Sequence, residues 1–185
     1  MAGIGAGHAN FLERLIPLAA RALADDAQAL RDHGKEPAPV VARLEDLRIR
    51  HPAVVADTGP GTMYKIQVRA MQALYEAEIQ RGQADLAVAA TWPRAARASS
   101  DGQLAWDEAY CWWRAAEALT KDRAARDAAA EALRRAHELA VDLQATPLLA
   151  EIAAMAQSTR ISLATIDESP ATRNPSPARS HPPRA

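Results

Sequence analysis

Alanine makes up about a quarter of the 185 residues of this chain, whereas phenylalanine occurs once, at Phe11. Alanine is the strongest helix former, and its small side chain lets neighbouring helices approach one another closely. A chain of this composition has few ways to fold other than as packed helices. We therefore predict an all-α protein, made of antiparallel helix pairs.

Composition also excludes several classes of protein. The formal net charge is -1, with both signs mixed along the chain, so no basic face for nucleic acid is expected. One cysteine, Cys111, rules out an intrachain disulfide and fits a reducing compartment. No apolar run approaches the roughly 20 residues that span a bilayer, and Glu13 and Arg14 interrupt the stretch most similar to a signal peptide. We expect a cytoplasmic protein without a membrane segment.

Glycine and proline divide the chain into predicted helices. A mid-helix proline removes a hydrogen bond and costs about 3 kcal/mol, so Pro93 predicts a bend or break near Trp92. Thr146 and Pro147 are expected to be the N-cap and the first residue of a final capping helix. Thr58 to Thr62 is expected to be a loop. The predicted helices are Ile16 to Gly34, residues 40–49, Tyr64–Arg81, Ala84–Ser99, Leu104–Thr120, Asp122–Gln144 and the capping helix from Thr146.

A weak internal repeat suggests how these helices are arranged. The pair Ala77-Glu78 recurs 39 residues later as Ala116-Glu117, and Arg94 recurs 40 residues later as Arg134. Two helix pairs with this period are typical of a short α-solenoid of the tetratricopeptide type. We predict a flexible start at residues 1–9, a helical-repeat domain at 10–161, and a disordered proline-rich tail at 162–185.

No constellation of residues predicts catalysis, cofactor binding or metal binding. Cys111 and His137 lie on neighbouring predicted helices, but no third group is placed to orient them. The five histidines are scattered without metal-ligand spacing. Many carboxylates lie three or four residues from an arginine, and these are expected to form ion pairs on helix faces. Examples are Arg114 with Glu117, and Glu131 with Arg134 and Arg135.

Two adjacent tryptophans form the most conspicuous motif. Trp112 and Trp113 are about 100° apart around a helix, so their rings point in different directions. One is expected in the core, and the other at its edge, facing the next helix pair or a solenoid groove. The candidate interaction surface consists of Trp112, Arg114 and Trp92.

The C-terminal half of the predicted helical domain resembles a known family. It reads DEAYCWWRAAEAL (residues 107–119), DRAARDAAAEAL (122–133), AHELAVDL (136–143) and TPLLAEI (146–152). This pattern is similar to the helical, tetratricopeptide-like region that precedes the DNA-binding domain in large LuxR-family regulators of actinobacteria. The matching positions are Arg114, Ala116, Glu117, Ala118, Leu133, Leu139, Pro147 and Leu148; Lys121 departs from the usual glycine.

The resemblance implies a helical sensor or interaction segment. Such regulators also carry a nucleotide-binding ATPase and a helix-turn-helix, and the motifs of neither are found in these 185 residues. The resemblance therefore implies a truncated paralogue without ATPase or DNA-binding activity. The alternative is a free-standing adaptor that binds a protein partner. In both cases the expected ligand is a protein or a small effector in a solenoid groove, and the oligomeric state stays open.

Overall fold

The computed structural model describes residues 6–54, 62–85 and 87–163, with the side chains of residues 14–54, 63–85 and 87–163. These ranges contain seven α-helices, a short 3-10 helix and no strand. The predicted all-α fold is confirmed. The helices are α1 (Ala6–Asp32), α2 (Ala38–Arg50), α3 (Thr62–Gly82), α4 (Val88–Asp101), α5 (Ala105–Leu119), α6 (Arg126–Asp142) and α7 (Thr146–Thr159), with the 3-10 helix at Arg123–Ala125.

Helices that follow one another in the chain pack side by side. α1 packs against α2 and α3, α3 against α4, α4 against α5, α5 against α6, and α6 against α7. Fully buried alanines occur along these contacts, among them Ala24, Ala77 and Ala116, and small side chains allow close helix packing. Stacking of the helix pairs into a solenoid stays a prediction.

Two prolines lie inside helices, where the sequence predicted a helix start and a break. α1 begins at Ala6 and passes through Pro17, so residues 6–9 are helical rather than part of a flexible start. α4 runs without interruption from Val88 to Asp101 and contains Pro93. α4 packs against both α3 and α5, and burial of a helix between two neighbours outweighs the loss of one backbone hydrogen bond.

The helix ends also differ from the expected caps. Ala145 is the N-cap of α7 and makes no side-chain capping bond, so the assignment of Thr146 as the N-cap was wrong by one residue. Within two residues of their last residue, five helices are followed by a residue with positive φ, namely Gly34, Ala84, Gln103, Gln144 and Arg160. In each case the next residue donates its N–H to a carbonyl five positions back, as from Leu104 to Ser99. This is the Schellman arrangement, which satisfies the last carbonyls of a helix.

Several expectations fall outside the described residues. They are the glycine-rich residues 1–5, most of the predicted loop at Thr58 to Thr62, and the tail from residue 164. Thr62 itself is the first residue of α3. None of the helices in the described part of the chain has the length and apolarity needed to cross a bilayer.

Candidate functional site

A buried polar cluster joins three helices at Tyr110, in the middle of α5. The Tyr110 hydroxyl donates a hydrogen bond of 2.6 Å to Oε1 of Glu78 on α3. It also accepts a hydrogen bond of 3.0 Å from Nε of Arg114, one helical turn further along α5. Glu78 is fully buried, and Tyr110 is 1% exposed. A buried carboxylate is stable only when it is paired and hydrogen-bonded, and here the cluster supplies both.

Arginines complete this cluster and connect it to α1. Arg81 contacts Oε2 of Glu78 through Nε at 2.8 Å and Nη2 at 2.7 Å. Nη2 of Arg81 and Nη2 of Arg114 both reach Oδ1 of Asp25 on α1, at 2.8 Å and 3.0 Å. One carboxylate of α1 therefore bridges α3 and α5. We refer to Asp25, Glu78, Arg81, Tyr110 and Arg114 as the Tyr110 cluster.

Aromatic rings surround the phenol of Tyr110. Trp106 stacks on it with a centroid distance of 5.6 Å and an interplanar angle of 7°. Trp92 meets it edge-on at 6.0 Å and 86°, and Trp113 lies 5.8 Å away. The guanidinium of Arg21 lies 4.0 Å from the centre of the phenol ring, in the range of a cation–π contact. The Tyr110 cluster joins α1, α3 and α5, and the contact of Trp92 with Tyr110 adds α4.

The protonation states of the cluster follow from its burial. Burial raises the pKa of Tyr110 well above its usual range, and the neighbouring Glu78 carboxylate raises this pKa further. Burial acts to lower the pKa of Arg114, but the nearby Tyr110 and Glu117 raise this pKa by more. The net shift is upward. Tyr110 thus stays a neutral hydroxyl and Arg114 stays charged at physiological pH. A general acid or base has a pKa near the working pH, so this arrangement favours a structural role.

The cluster borders a groove of about 520 Å³ between α1, α5 and the start of α7. Its two most buried cations, Arg81 and Arg114, already bind Asp25. Arg114 also binds Glu117 at 2.8 Å, which confirms the ion pair predicted from their spacing. Among the described residues that line this groove, no buried cation is therefore left unpaired for a ligand.

A second groove, of about 550 Å³, lies between α4 and α6 and has Trp112 of α5 at its base. We call it the Trp112 groove. Trp112 is half-buried, and its indole Nε1 donates a long hydrogen bond of 3.4 Å to the buried Glu108. The other lining residues are Pro93, Arg97, Leu119, Ala128, Glu131, Ala132, Arg134, Arg135 and Glu138.

The charged side chains of the Trp112 groove are only weakly paired. Arg135 reaches Glu108 at 3.4 Å and Glu138 at 3.5 Å. Within the described part of the chain, Arg97, Arg134 and Glu131 form no hydrogen bond or ion pair through their side chains. The predicted pairing of Glu131 with Arg134 and Arg135 was therefore wrong, because Arg135 turns toward Glu108 and Glu138 instead.

The structure separates the three residues of the predicted interaction surface. Trp112 lines the Trp112 groove. Arg114 points away from it, into the Tyr110 cluster. Trp92 is 1% exposed and packs in the core against Tyr110, so it offers no surface for a partner. Trp113 is the core member of the tryptophan pair, with 9% exposure, and Trp112 is the one at the edge.

The candidates for chemistry have no reactive geometry. The thiol of Cys111 is fully buried, and burial raises its pKa well above the usual range, whereas a nucleophilic cysteine needs a lowered pKa. His137 is half-buried on α6. Among the described residues, no three histidine, cysteine, aspartate or glutamate side chains are grouped to hold a metal ion.

The contacts of Tyr110 with Glu78 and Arg114, at the centre of the Tyr110 cluster, were not predicted from the sequence. The spacing of Glu78 and Arg81, three residues apart, is a sequence signal for their ion pair. Nothing in the sequence places Asp25 beside Arg114, 89 residues away. Comparisons with protein-family models, with curated proteins and with solved structures gave no match for this chain.

Proposed function

We propose that this chain is a non-catalytic helical domain that binds a segment of a partner protein in the Trp112 groove. The observation that carries the proposal is the groove itself. It combines a half-buried tryptophan at its base with arginines on both walls that form few contacts within the chain. Tryptophan and arginine are the residue types most enriched among those that dominate binding energy at protein interfaces.

The biological setting we propose follows from the sequence resemblance described above. The chain would act as a helical sensor or interaction segment like that of the large LuxR-family regulators, in the cytoplasm, with no ATPase or DNA-reading activity of its own. The alternative setting is a free-standing adaptor. The two settings share the same binding chemistry and differ in the identity of the partner.

A site-specific crosslink tests this proposal. Ala128, an exposed residue on the α6 wall of the groove, is replaced by the photoreactive p-benzoylphenylalanine, and the protein is irradiated in cells of its native host. We expect a covalent adduct of defined mass. The matched control carries the same substitution at Arg43, which is exposed on α2, outside the groove.

The outcome at the two positions decides the proposal. An adduct at position 128 but not at position 43 supports a partner in the groove, and mass spectrometry of the adduct identifies that partner as a regulator or as another protein. Equal labelling at both positions, or no adduct at position 128, contradicts it. A separate gel-shift assay is expected to give no sequence-dependent DNA complex, and a salt-resistant, sequence-dependent one would contradict the absence of DNA reading.

A further inference from the structure

The base of the Trp112 groove is apolar. Trp112 lines the groove together with three other apolar residues, Pro93 of α4, Leu119 of α5 and Ala132 of α6. Pro93 and Leu119 are half-buried, so the surface they form with the indole is open to a ligand. An apolar side chain that fills this space removes its own surface and that of the groove from water, which stabilises a complex in proportion to the apolar area buried. The occupant therefore needs at least one apolar side chain.

The walls of the groove add a requirement for negative charge. Arg97 stands on α4 and Arg134 on α6, and neither has an ion-pair partner in the described part of the chain. Arg135 lies beside Arg134 and is held only by contacts of 3.4 Å and 3.5 Å. A guanidinium matches the geometry of a carboxylate with two parallel hydrogen bonds. Carboxylates on the occupant would therefore find donors on both sides of the tryptophan.

Acidic residues in the same groove decide against nucleic acid. Glu131 and Glu138 lie on the α6 wall, on either side of Arg134 and Arg135 in sequence. A phosphate backbone carries negative charge at regular, short intervals and would meet these carboxylates. A peptide carries its charges on separate side chains, so it can place carboxylates at the arginines alone. The net charge of -1 on the chain agrees with this choice.

We infer that the occupant of the Trp112 groove is an acidic amphipathic segment of another protein. Its apolar side chain packs on Trp112, and its carboxylates pair with Arg97 and Arg134. This inference rests on the proposed function and adds the chemical class of the partner segment.

The test begins with a library of random 15-residue peptides, displayed on phage and selected against the full chain. We expect selected peptides to combine aspartate or glutamate with a large apolar residue. Synthetic, fluorescein-labelled versions are then titrated by fluorescence polarisation into the wild type and into Trp112→Ala, Arg97→Glu and Arg134→Glu. The matched control is Arg43→Glu, which makes the same charge change outside the groove.

Each groove substitution should weaken peptide binding by about tenfold or more, and reversing one charge at an interface changes both pairing and long-range attraction. Arg43→Glu should weaken peptide binding by less than about twofold. Binding should also weaken as salt increases. Peptides that depend on Trp112 but not on Arg97 or Arg134 would overturn the inference and leave the proposed function intact. Peptides that bind Trp112→Ala as tightly as the wild type would overturn both this inference and the proposed function. Circular dichroism of each variant confirms that the helices are retained.

Discussion

Tyr110 and Glu78 share a hydrogen bond of 2.6 Å in the interior of the protein. The two residues are 32 positions apart in the sequence and lie on α5 and α3. Because Glu78 is fully buried, its carboxylate depends on this hydroxyl and on Arg81 to replace the water it has lost. The same hydroxyl accepts from Arg114, so one phenol oxygen links the carboxylate on α3 to α5 and, through Arg114 and Asp25, to α1.

Tyr110→Phe should therefore destabilise the fold by about 2–3 kcal/mol, since it removes a buried hydrogen bond to a charged group and leaves two polar partners unsatisfied. The control is Tyr75→Phe. Tyr75 is also almost fully buried, but its hydroxyl donates to a neutral carbonyl, that of His51, at 2.9 Å, so about 1 kcal/mol is expected. Urea unfolding followed by tryptophan fluorescence measures both. Equal losses would show that the buried carboxylate does not depend on Tyr110.

Alkaline pH should destabilise the protein in part through the same residue. Burial raises the pKa of Tyr110 above its ordinary value of 10.0, so the folded state retains a proton that the unfolded state releases. The stabilisation is complete below that ordinary value and is lost as the pH rises above it. We expect the free energy of unfolding to fall between about pH 10 and pH 11, and to fall less steeply in Tyr110→Phe. Identical slopes in the two proteins would contradict this.

The two adjacent tryptophans should differ in their contribution to stability. Trp113 is 9% exposed and Trp112 is half-buried, so Trp113→Ala should cost about 3–5 kcal/mol and Trp112→Ala less than about 2 kcal/mol. Nε1 of Trp113 is buried without a hydrogen-bond partner in the described part of the chain. Trp113→Phe removes no hydrogen bond but leaves a smaller ring in the core, so it should cost about 1–2 kcal/mol, less than the alanine variant. Thermal melts of the three variants give the order, and a reversed order would place Trp113 outside the core.

Gly82 at the end of α3 lies close to two other helices, α1 and α2. A Cβ atom added there would lie 2.3 Å from Cδ2 of Leu44 and 3.3 Å from Cα of Ala24. Leu44 is fully buried, so its side chain can give way only by displacing its own neighbours, and Cα of Ala24 belongs to the backbone of α1. Gly82→Ala should therefore cost about 1–3 kcal/mol by overpacking.

Gly102, just after α4, provides the matched control for Gly82. A Cβ atom there meets its nearest neighbours at 3.4 Å and 3.5 Å, which is ordinary contact, and its φ of -79° suits any residue. Gly102→Ala should leave the free energy of unfolding, measured by urea denaturation, unchanged or raise it by up to about 1 kcal/mol. If both substitutions have the same effect, the close approach at Gly82 is not what limits packing there.

The sequence by itself determined the all-α class and most of the helices, because alanine content, apolar spacing and glycine or proline at the helix ends act over a few residues. It also determined that one tryptophan of the pair would be buried and that Arg114 would pair with Glu117, since both follow from the geometry of a single helix. The sequence pattern predicted that α1 begins near Ile16, whereas it begins at Ala6. It also predicted a bend or break at Pro93, whereas α4 runs through this residue. Local propensity carries no information about the packing of α1 and α4 against their neighbours.

Only the tertiary structure decided where the polar side chains meet. Asp25 and Arg114 are 89 residues apart, and Trp92 and Arg114 turn away from the groove that Trp112 faces. These placements depend on how α1, α3, α4, α5 and α6 rotate and pack against one another. In a chain so rich in alanine, many helix faces are nearly equivalent in sequence. The choice among them is made by the few large and charged side chains that fit together across helices, and their partners lie too far apart in the chain for any local pattern to indicate them.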